Sequence, residues 1–468
     1  MAIGLESHTL EGLQKSLRKA NETKKEIMFS TVVKVNDISP LSLYTAGRDL
    51  FIGERFFWQE PTEGMAFTGL GKISKLQAKA DQHRYLSIES QWKKILSEAV
   101  IVQDEKQAGT GPLLFGGFSF DCEKSQSSLW DRFGDNFFYV PQYMLTSAKG
   151  GSYLTINTIC SPGDDMTHLV DVIKQGEELA SVSGNPQLYE DNLLLATNEV
   201  EPEEWKQTVR NAVKTLQAGT MDKVVLARER RLSFKKKIVS EFVLAKLQKQ
   251  QGTSFIFSLE SGDNCFIGAT PERLVKKQGP MLLSTCLAGS IARGASEKED
   301  ASLGSELLSD PKNLREHQYV VSMIRKALEE VCMTVNVPSQ PELMKLKFIQ
   351  HLYTPVTAVC LPKTSLLGVV EKLHPTPALG GLPQQQAVKW IREHERLERG
   401  LYGGPLGWID ADGNGEFAVA LRSGLLQDNE ASLFAGCGIV ADSVAEEEYK
   451  ETEIKFKPMI NALGGAIQ

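Results

Sequence analysis

Strand-like segments in this 468-residue sequence come in neighbouring pairs joined by short turns, and long helix candidates stand between the groups. Residues 407–409 and 415–421 form one such pair, and residues 432–439 follow closely. Helix candidates occupy residues 201–218 and 310–331. Short connections join antiparallel strands, whereas a parallel sheet needs a helical crossover between successive strands. The pattern therefore predicts an α+β fold with helices layered on a large sheet, not a regular βαβ array.

The composition is that of an ordinary globular protein, with 41% hydrophobic and 24% charged residues. A net charge of −7 argues against a nucleic-acid-binding surface. The seven cysteines are odd in number and contain no CxxC pair, which excludes a simple disulfide framework or a zinc ribbon and fits a reducing compartment. No apolar run approaches the ~18 residues that cross a bilayer, and the N-terminus does not resemble a signal peptide. We therefore expect a cytoplasmic protein with no membrane or nucleic-acid partner.

Familiar cofactor motifs are absent from the sequence. Residues 410–415 begin like a calcium-binding loop, but Leu421 stands where the bidentate glutamate is required, so this segment is predicted to be a hairpin turn. No phosphate-binding glycine motif and no nucleophile elbow occurs. Four dispersed histidines are interpreted as structural hydrogen-bonding residues: His317, His351, His374 and His394. The polar segment 184–198 is the best linker candidate.

An acidic segment near the C-terminus, residues 446–455, carries charges at helical spacing. As a helix it places Glu448, Glu451 and Lys455 on one face. The glycine-rich residues 434–440 precede it directly. Two carboxylates and an ammonium beside bare backbone can hold a divalent cation and an anionic ligand together. The alternative is a solvated acidic helix end, which the charge pattern alone favours.

Upstream segments also contain groups suited to an anionic ligand. Glycines let backbone N–H groups approach a ligand, arginine binds a carboxylate through two bonds, and tyrosine adds a hydroxyl. Each has an ordinary structural explanation as well: a tight turn, a surface arginine or a capping glutamate. The candidates are Gly289, Glu316, Tyr402, Arg422, Gly436 and Gly438.

Taken in order, these segments resemble the chorismate-utilising enzymes. The resemblance is dense from residue 200 to 458 and weaker at 111–121, and it is carried by residues 222–228, 268–274, 287–290, 313–317, 373–381 and 436–452. It implies a large two-sheet α/β sandwich flanked by helices, with a Mg²⁺-dependent site. Residues 1–195 would then contribute strands to the same sandwich, and residues 196–468 would form the chorismate-binding catalytic region.

The resemblance also implies roles for individual residues. Lys223 would be the catalytic base and Glu272 the catalytic acid, acting on opposite faces of the substrate ring. Mg²⁺ would bridge the substrate to Glu316, Glu448 and Glu451, while the other acids of the terminal helix, Glu446, Glu447 and Glu453, would stay solvated. The residues expected to bind the substrate are Gly289, Ser290, His374, Ala378, Tyr402, Arg422, Gly436, Gly438 and Lys455. Gly404 and Cys437 depart from the usual alanine of the family.

Three positions resemble one branch of the family. Water-using members have lysine where this chain has Lys223, aminodeoxychorismate synthases have lysine where it has Ala288, and residues 373–378 are similar to those of isochorismate-forming members. The implied reaction is the reversible isomerisation of chorismate to isochorismate, by water addition at C2 and loss of the C4 hydroxyl. The product would serve menaquinone biosynthesis, favoured by the long N-terminal extension, or a catechol siderophore. No glutamine amidotransferase subunit is expected, and a monomer is the default expectation for the oligomeric state. A salicylate synthase, an aminating enzyme and an inactive chorismate-binding relative stay open as alternatives.

Overall fold

The computed structural model describes residues 7–61, 64–104, 106–124, 128–181, 192–347 and 349–464. The helices are α1 (Ser7–Thr23), α2 (Pro40–Ala46), α3 (Arg48–Phe51), α4 (Arg84–Glu98), α5 (Met166–Ser181), α6 (Pro202–Gln217), α7 (Ser240–Gln250), α8 (Glu297–Ser309), α9 (Pro311–Glu329), α10 (Leu366–Leu373), α11 (Gln384–His394) and α12 (Ala445–Leu463). The strands are β1 (Ile27–Val35), β2 (Arg55–Gln59), β3 (Ala66–Leu76), β4 (Val100–Val102), β5 (Leu113–Phe118), β6 (Asn136–Ala148), β7 (Gly151–Cys160), β8 (Leu194–Glu199), β9 (Lys223–Phe234), β10 (Phe255–Ser261), β11 (Asn264–Thr270), β12 (Arg273–Gln278), β13 (Met281–Ala292), β14 (Cys332–Asn336), β15 (Glu342–Lys345), β16 (Ile349–Cys360), β17 (Gly381–Leu382), β18 (Pro405–Asp410), β19 (Gly415–Val419), β20 (Ser423–Gln427) and β21 (Glu430–Ile439).

These strands pair into two long rows, and strand β6 connects the two. The first row runs β3-β2-β10-β11-β20-β21-β9, and the second runs β5-β18-β19-β12-β13-β16. Strand β6 pairs with β3 along one edge and with β5 and β7 along the other, so it joins the rows. Among the described strands, β1 and β4 are the parallel pair, and the other pairs are antiparallel. The predicted α+β class is confirmed.

Aromatic side chains from both rows meet in a shared core. Phe56 of β2 stacks on Phe115 of β5 with ring centroids 4.1 Å apart, and Phe67 of β3 meets Trp408 of β18 edge-on at 5.1 Å. All four side chains are buried. The two rows therefore face each other as the layers of a sandwich. Helices α7 and α12 cover the outer face of the first row, and α9 and α10 cover that of the second.

Strands from both parts of the chain pair with each other. β2 pairs with β10, β5 with β18 and β8 with β9, so residues before and after position 195 share the same rows. That position lies inside β8, while residues 182–191 lie outside the described part of the chain. The C-terminal half of the linker candidate is thus a strand. Its side chains are largely exposed, as expected for a strand at the edge of a row.

The turn at residues 410–415 is a hairpin, as predicted. It joins β18 to β19, and the Asp410 carboxylate accepts hydrogen bonds from the backbone N–H groups of Asp412 and Asn414 at 3.0 and 2.9 Å. These bonds stabilise the turn between the two strands. Across the described ranges, none of the helices is long and apolar enough to cross a membrane.

Candidate active site

A cavity of about 300 Å³ opens where both rows and helices α9 and α12 come together. It is of the size that binds small molecules. Each element contributes through one end or one face, so side chains that are distant in the sequence converge here. The predicted site residues that line it are Lys223, Glu272, Gly289, Ser290, Glu316, Ala378, Tyr402, Arg422, Gly436, Gly438, Glu448, Glu451 and Lys455.

Lys223 is the first residue of β9, and it is only 7% exposed. Its ammonium group forms a charge-assisted hydrogen bond with Oε1 of Glu316 on α9. Burial acts to raise the pKa of Glu316, but the adjacent Lys223 outweighs burial and holds that pKa below its usual range. The predicted base and one predicted metal ligand are therefore direct neighbours.

Glu272 lies in the connection between β11 and β12 and is 6% exposed. Burial raises the pKa of its carboxyl group to about 7, although the positive charges of Lys223, Arg422 and Lys455 act to lower it. A carboxyl group with this pKa carries its proton in a large fraction of molecules at neutral pH. It can therefore act as a general acid.

Helix α12 presents its predicted charged face to the cavity. The Lys455 ammonium lies 2.7 Å from a carboxylate oxygen of Glu451 and donates to the carbonyl oxygen of Gly436 at 2.8 Å. Glu448 accepts a hydrogen bond from the Ser443 hydroxyl at 2.6 Å. Burial, together with the nearby Glu451 charge, raises the pKa of Glu448 despite that bond. The negative charge on this face is thus only partly neutralised.

The three predicted metal ligands do not form a ready-made coordination cage. Within the described residues, no group of three or more His, Cys, Asp or Glu side chains is arranged to hold a metal ion. Glu316 and Glu451 each hold a lysine ammonium instead. The carboxylates of Glu316, Glu448 and Glu451 nevertheless line the same cavity.

Arg422 and His351 form a pair that the sequence analysis missed. Nη2 of Arg422 donates to Nε2 of His351 at 3.2 Å, and the other ring nitrogen lies 2.7 Å from the Ser290 hydroxyl oxygen. Burial and the Arg422 charge hold the pKa of His351 well below its usual range, so the ring is neutral. Since Nε2 accepts, Nδ1 carries the proton and donates to Ser290.

The position of His351 depends on strand register. Ser290 and His351 are opposite each other in β13 and β16, 61 residues apart in the sequence. No local spacing signals this pairing, which explains why His351 was interpreted as a structural histidine. Arg422 itself stands between β19 and β20 with φ of 48°, a left-handed conformation that turns its side chain into the cavity.

Tyr402 closes another part of the cavity wall. The side chain is buried, its ring centroid lies 5.4 Å from that of Phe434, and burial raises the pKa of its hydroxyl to about 12. The hydroxyl therefore remains protonated and can donate a hydrogen bond to an anion.

His374 differs from the prediction because it does not line the cavity. Its Nε2 atom lies 3.0 Å from the carbonyl oxygen of Phe120, and the two rings meet edge-on. Burial lowers its pKa to about 3, so the ring is neutral. This motif reaches the cavity through Ala378 and Leu379 instead. The histidine ends α10 and packs the motif against the N-terminal part of the chain.

Comparisons with known proteins identify the family of this chain. The family model described as chorismate binding enzyme matches residues 15–464. The isochorismate synthase MenF of Bacillus subtilis (strain 168) is 42% identical over 455 residues, covering 96% of each chain. The salicylate biosynthesis isochorismate synthase of Pseudomonas aeruginosa is 33% identical over 467 residues, covering 98% of this chain and 95% of the relative. The solved structure of MenF, the menaquinone-specific isochorismate synthase from Escherichia coli, has the same fold, with a TM-score of 0.78 at 24% identity over 97% of this chain and 100% of that chain. The chain therefore belongs to the chorismate-binding enzyme family.

Proposed function

We propose that this protein is an isochorismate synthase, an isomerase that converts chorismate to isochorismate for menaquinone biosynthesis. One observation carries the proposal: the Lys223 side chain and the Glu272 carboxyl group, whose pKa is about 7, line the same cavity in a chain 42% identical to a MenF isochorismate synthase. The pairing of one base and one acid is what exchange of a hydroxyl group across a ring requires.

The proposed reaction adds water at C2 of the ring and expels the C4 hydroxyl. The Lys223 side chain, as the free amine, takes a proton from the attacking water. Glu272 gives its proton to the departing hydroxyl, which leaves as water while the ring double bonds shift between C2 and C4. One water enters and one leaves, so the reaction is balanced and reversible. Arg422, Lys455 and Tyr402 line the cavity, and in this proposal they bind the two carboxylates of the substrate.

We propose Mg²⁺ as the cofactor, held by Glu316, Glu448 and Glu451. The donor set fits a hard cation, because it consists of carboxylate oxygens that line one cavity. Burial and the nearby Glu451 charge raise the pKa of Glu448, and a cation bound there would relieve that repulsion. Mg²⁺ usually keeps several waters and binds through few carboxylates plus substrate oxygens, so direct contact with all three side chains is not needed. Bound there, Mg²⁺ supplies positive charge that offsets repulsion between these carboxylates and the substrate.

Product identification tests the proposed reaction. Purified protein with chorismate and Mg²⁺ should form isochorismate without stoichiometric pyruvate, in the absence of ammonia, and EDTA should stop the reaction. Steady release of salicylate and pyruvate would establish the lyase alternative. A requirement for ammonia would establish an aminating enzyme, and binding without turnover an inactive relative.

We further propose a cytoplasmic monomer that works without a glutamine amidotransferase subunit. Every cysteine in the described ranges is a free thiol, which suits a reducing compartment. Ala288, where aminodeoxychorismate synthases have lysine, lines the cavity and offers no cation there. Size-exclusion chromatography with light scattering tests the monomer, and a dimer mass would contradict it.

A further inference from the structure

The two faces of strand β9 contact different parts of the protein: one lines the cavity and the other packs against α12. Lys223, Val225 and Ala227 line the cavity. Residues of opposite parity point to the other face, where Arg228 lies against helix α12. Arg228 is 3% exposed, so it is a buried charge that needs full pairing.

Arg228 contacts side chains along about two turns of α12. Its Nε donates to the Thr452 hydroxyl oxygen at 2.7 Å, and its Nη2 forms an ion pair with Glu453. The centre of its guanidinium group lies 3.8 Å from the centroid of the Tyr449 ring and 4.9 Å from that of Phe456. Its contacts on the helix therefore span positions 449 to 456.

The same segment of α12 carries the proposed metal ligands Glu448 and Glu451 on the neighbouring face of the helix. Thr452 follows Glu451 directly and lies four residues after Glu448, and it is fully buried. Its hydroxyl donates in turn to the carbonyl oxygen of Tyr449 at 2.6 Å. At 100° per residue, the side chains that Arg228 contacts lie on the flank of the helix, next to the face that points into the cavity.

Small rotations of this helix have large effects on the carboxylates. A glutamate carboxylate stands about 6 Å from the helix axis, so a rotation of about 10° moves it by about 1 Å. Where a carboxylate contacts the cation directly, the metal–ligand distance varies by only a few tenths of an ångström. A contact that fixes the rotation of α12 therefore controls whether Glu448 and Glu451 are in place.

We propose that Arg228 is a positioning residue that sets the rotation of α12 through Thr452, and thereby holds Glu448 and Glu451 in position for a divalent cation. The inference rests on the proposed function for the identity of the cation. Arg228 itself does not line the cavity, so it acts only through the helix.

Arg230 offers a matched control in the same strand and on the same face. It is equally buried, at 3% exposure, and pairs with Glu199 and Glu453 as Arg228 does, but it has no bond to Thr452. Its aromatic neighbour is Phe456, at 4.8 Å, one turn beyond the proposed ligands. Variants of either arginine therefore lose buried ion pairs, but only a variant of Arg228 loses the hydrogen bond to Thr452.

The test is titration of the full-length protein with MgCl₂ alone by isothermal titration calorimetry, alongside urea unfolding in EDTA. Arg228→Lys and Thr452→Val should weaken Mg²⁺ binding about 10-fold, in the range that orienting partners of metal ligands show. Thr452→Ser, which keeps the hydroxyl, and Arg230→Lys should stay within about 2-fold of wild type. Both arginine variants should lose comparable stability in EDTA.

The outcomes separate this inference from the proposed function. Equal Mg²⁺ affinities in Arg228→Lys, Thr452→Val and wild type would overturn the positioning role while leaving the metal site intact. The same loss in Arg230→Lys as in Arg228→Lys would also overturn it, because general destabilisation would then suffice. A wild-type protein that binds no Mg²⁺ would overturn the metal site and this inference with it.

Discussion

Gly438 of β21 and Lys223 of β9 are in direct contact across the strand pair. A Cβ atom on residue 438 would lie 2.6 Å from Cε of Lys223 and 3.1 Å from its Nζ. The absent side chain leaves the space through which the lysine reaches Glu316. The glycine is needed here for close approach and not for a turn, because its φ is not in the left-handed region.

Gly438→Ala should therefore disable the enzyme without unfolding it. A displacement of the proposed base by about 1 Å costs on the order of 100-fold in rate, and we expect kcat to fall by that amount. The measurement is steady-state conversion of chorismate, with circular dichroism to check the fold. Gly252→Ala is the matched control, because a Cβ atom there meets only one backbone oxygen at 3.9 Å. Full activity in Gly438→Ala would contradict the steric argument.

Glu272→Gln should remove the proposed proton donor. We expect kcat/KM to fall about 10²- to 10⁴-fold. In the wild type, kcat/KM should decline as pH rises through about 7, the raised pKa of Glu272, because the protonated form is the active acid. The variant should lose that decline. Glu416→Gln is a matched control, since burial also raises the Glu416 pKa to about 7 but Glu416 pairs with Arg273 outside the cavity. A pH profile unchanged in Glu272→Gln would exclude Glu272 as the acid.

The same substitution should stabilise the protein at alkaline pH. The folded-state pKa of Glu272 lies above its ordinary value, so folding favours the protonated form and stability is lost as pH rises from about 4.5 through about 7. Glutamine has no such titration. Glu272→Gln should therefore gain up to about 3 kcal/mol over wild type at pH 8 and little at pH 4. Urea unfolding in EDTA at both pH values measures the difference, and an equal difference at both would show that burial of Glu272 carries no ionisation cost.

Substitutions along α12 should change the Mg²⁺ dependence only where they fall on the cavity-facing side of the helix. Glu451→Gln removes a proposed metal ligand and the Lys455 ion pair, so the Mg²⁺ concentration for half-maximal rate should rise about 10-fold or more. Glu447→Gln, on an exposed position of the same helix, should leave it unchanged. The measurement is initial rate against Mg²⁺ concentration. Equal Mg²⁺ dependence in the two variants would show that the cavity-facing side of α12 does not bind the cation.

The other acids of α12 show where helical spacing stops being informative. Glu447 is exposed, as predicted, and Glu446 is exposed but lies 2.9 Å from the Lys206 ammonium. Glu453 was predicted to be solvated, and that prediction is wrong, because it is partly buried and pairs with Arg228 and Arg230. Its partners come from β9, more than 200 residues earlier, so the local charge pattern contains no sign of them.

The sequence by itself determined the local features of this protein. Helical spacing identified the face of α12 that carries Glu448, Glu451 and Lys455, paired strand-like segments predicted the α+β class, and ordered motifs indicated the family. These features depend on neighbouring residues, which share one period or one turn.

Only the tertiary structure decided the non-local features. Strand register placed His351 against Ser290, packing kept His374 out of the cavity, and burial gave Glu272 a pKa near 7. Each of these depends on atoms brought together from distant parts of the chain. The sequence sets the chemical type of each side chain. Folding sets its neighbours and its access to water, and these determine what that chemistry can do.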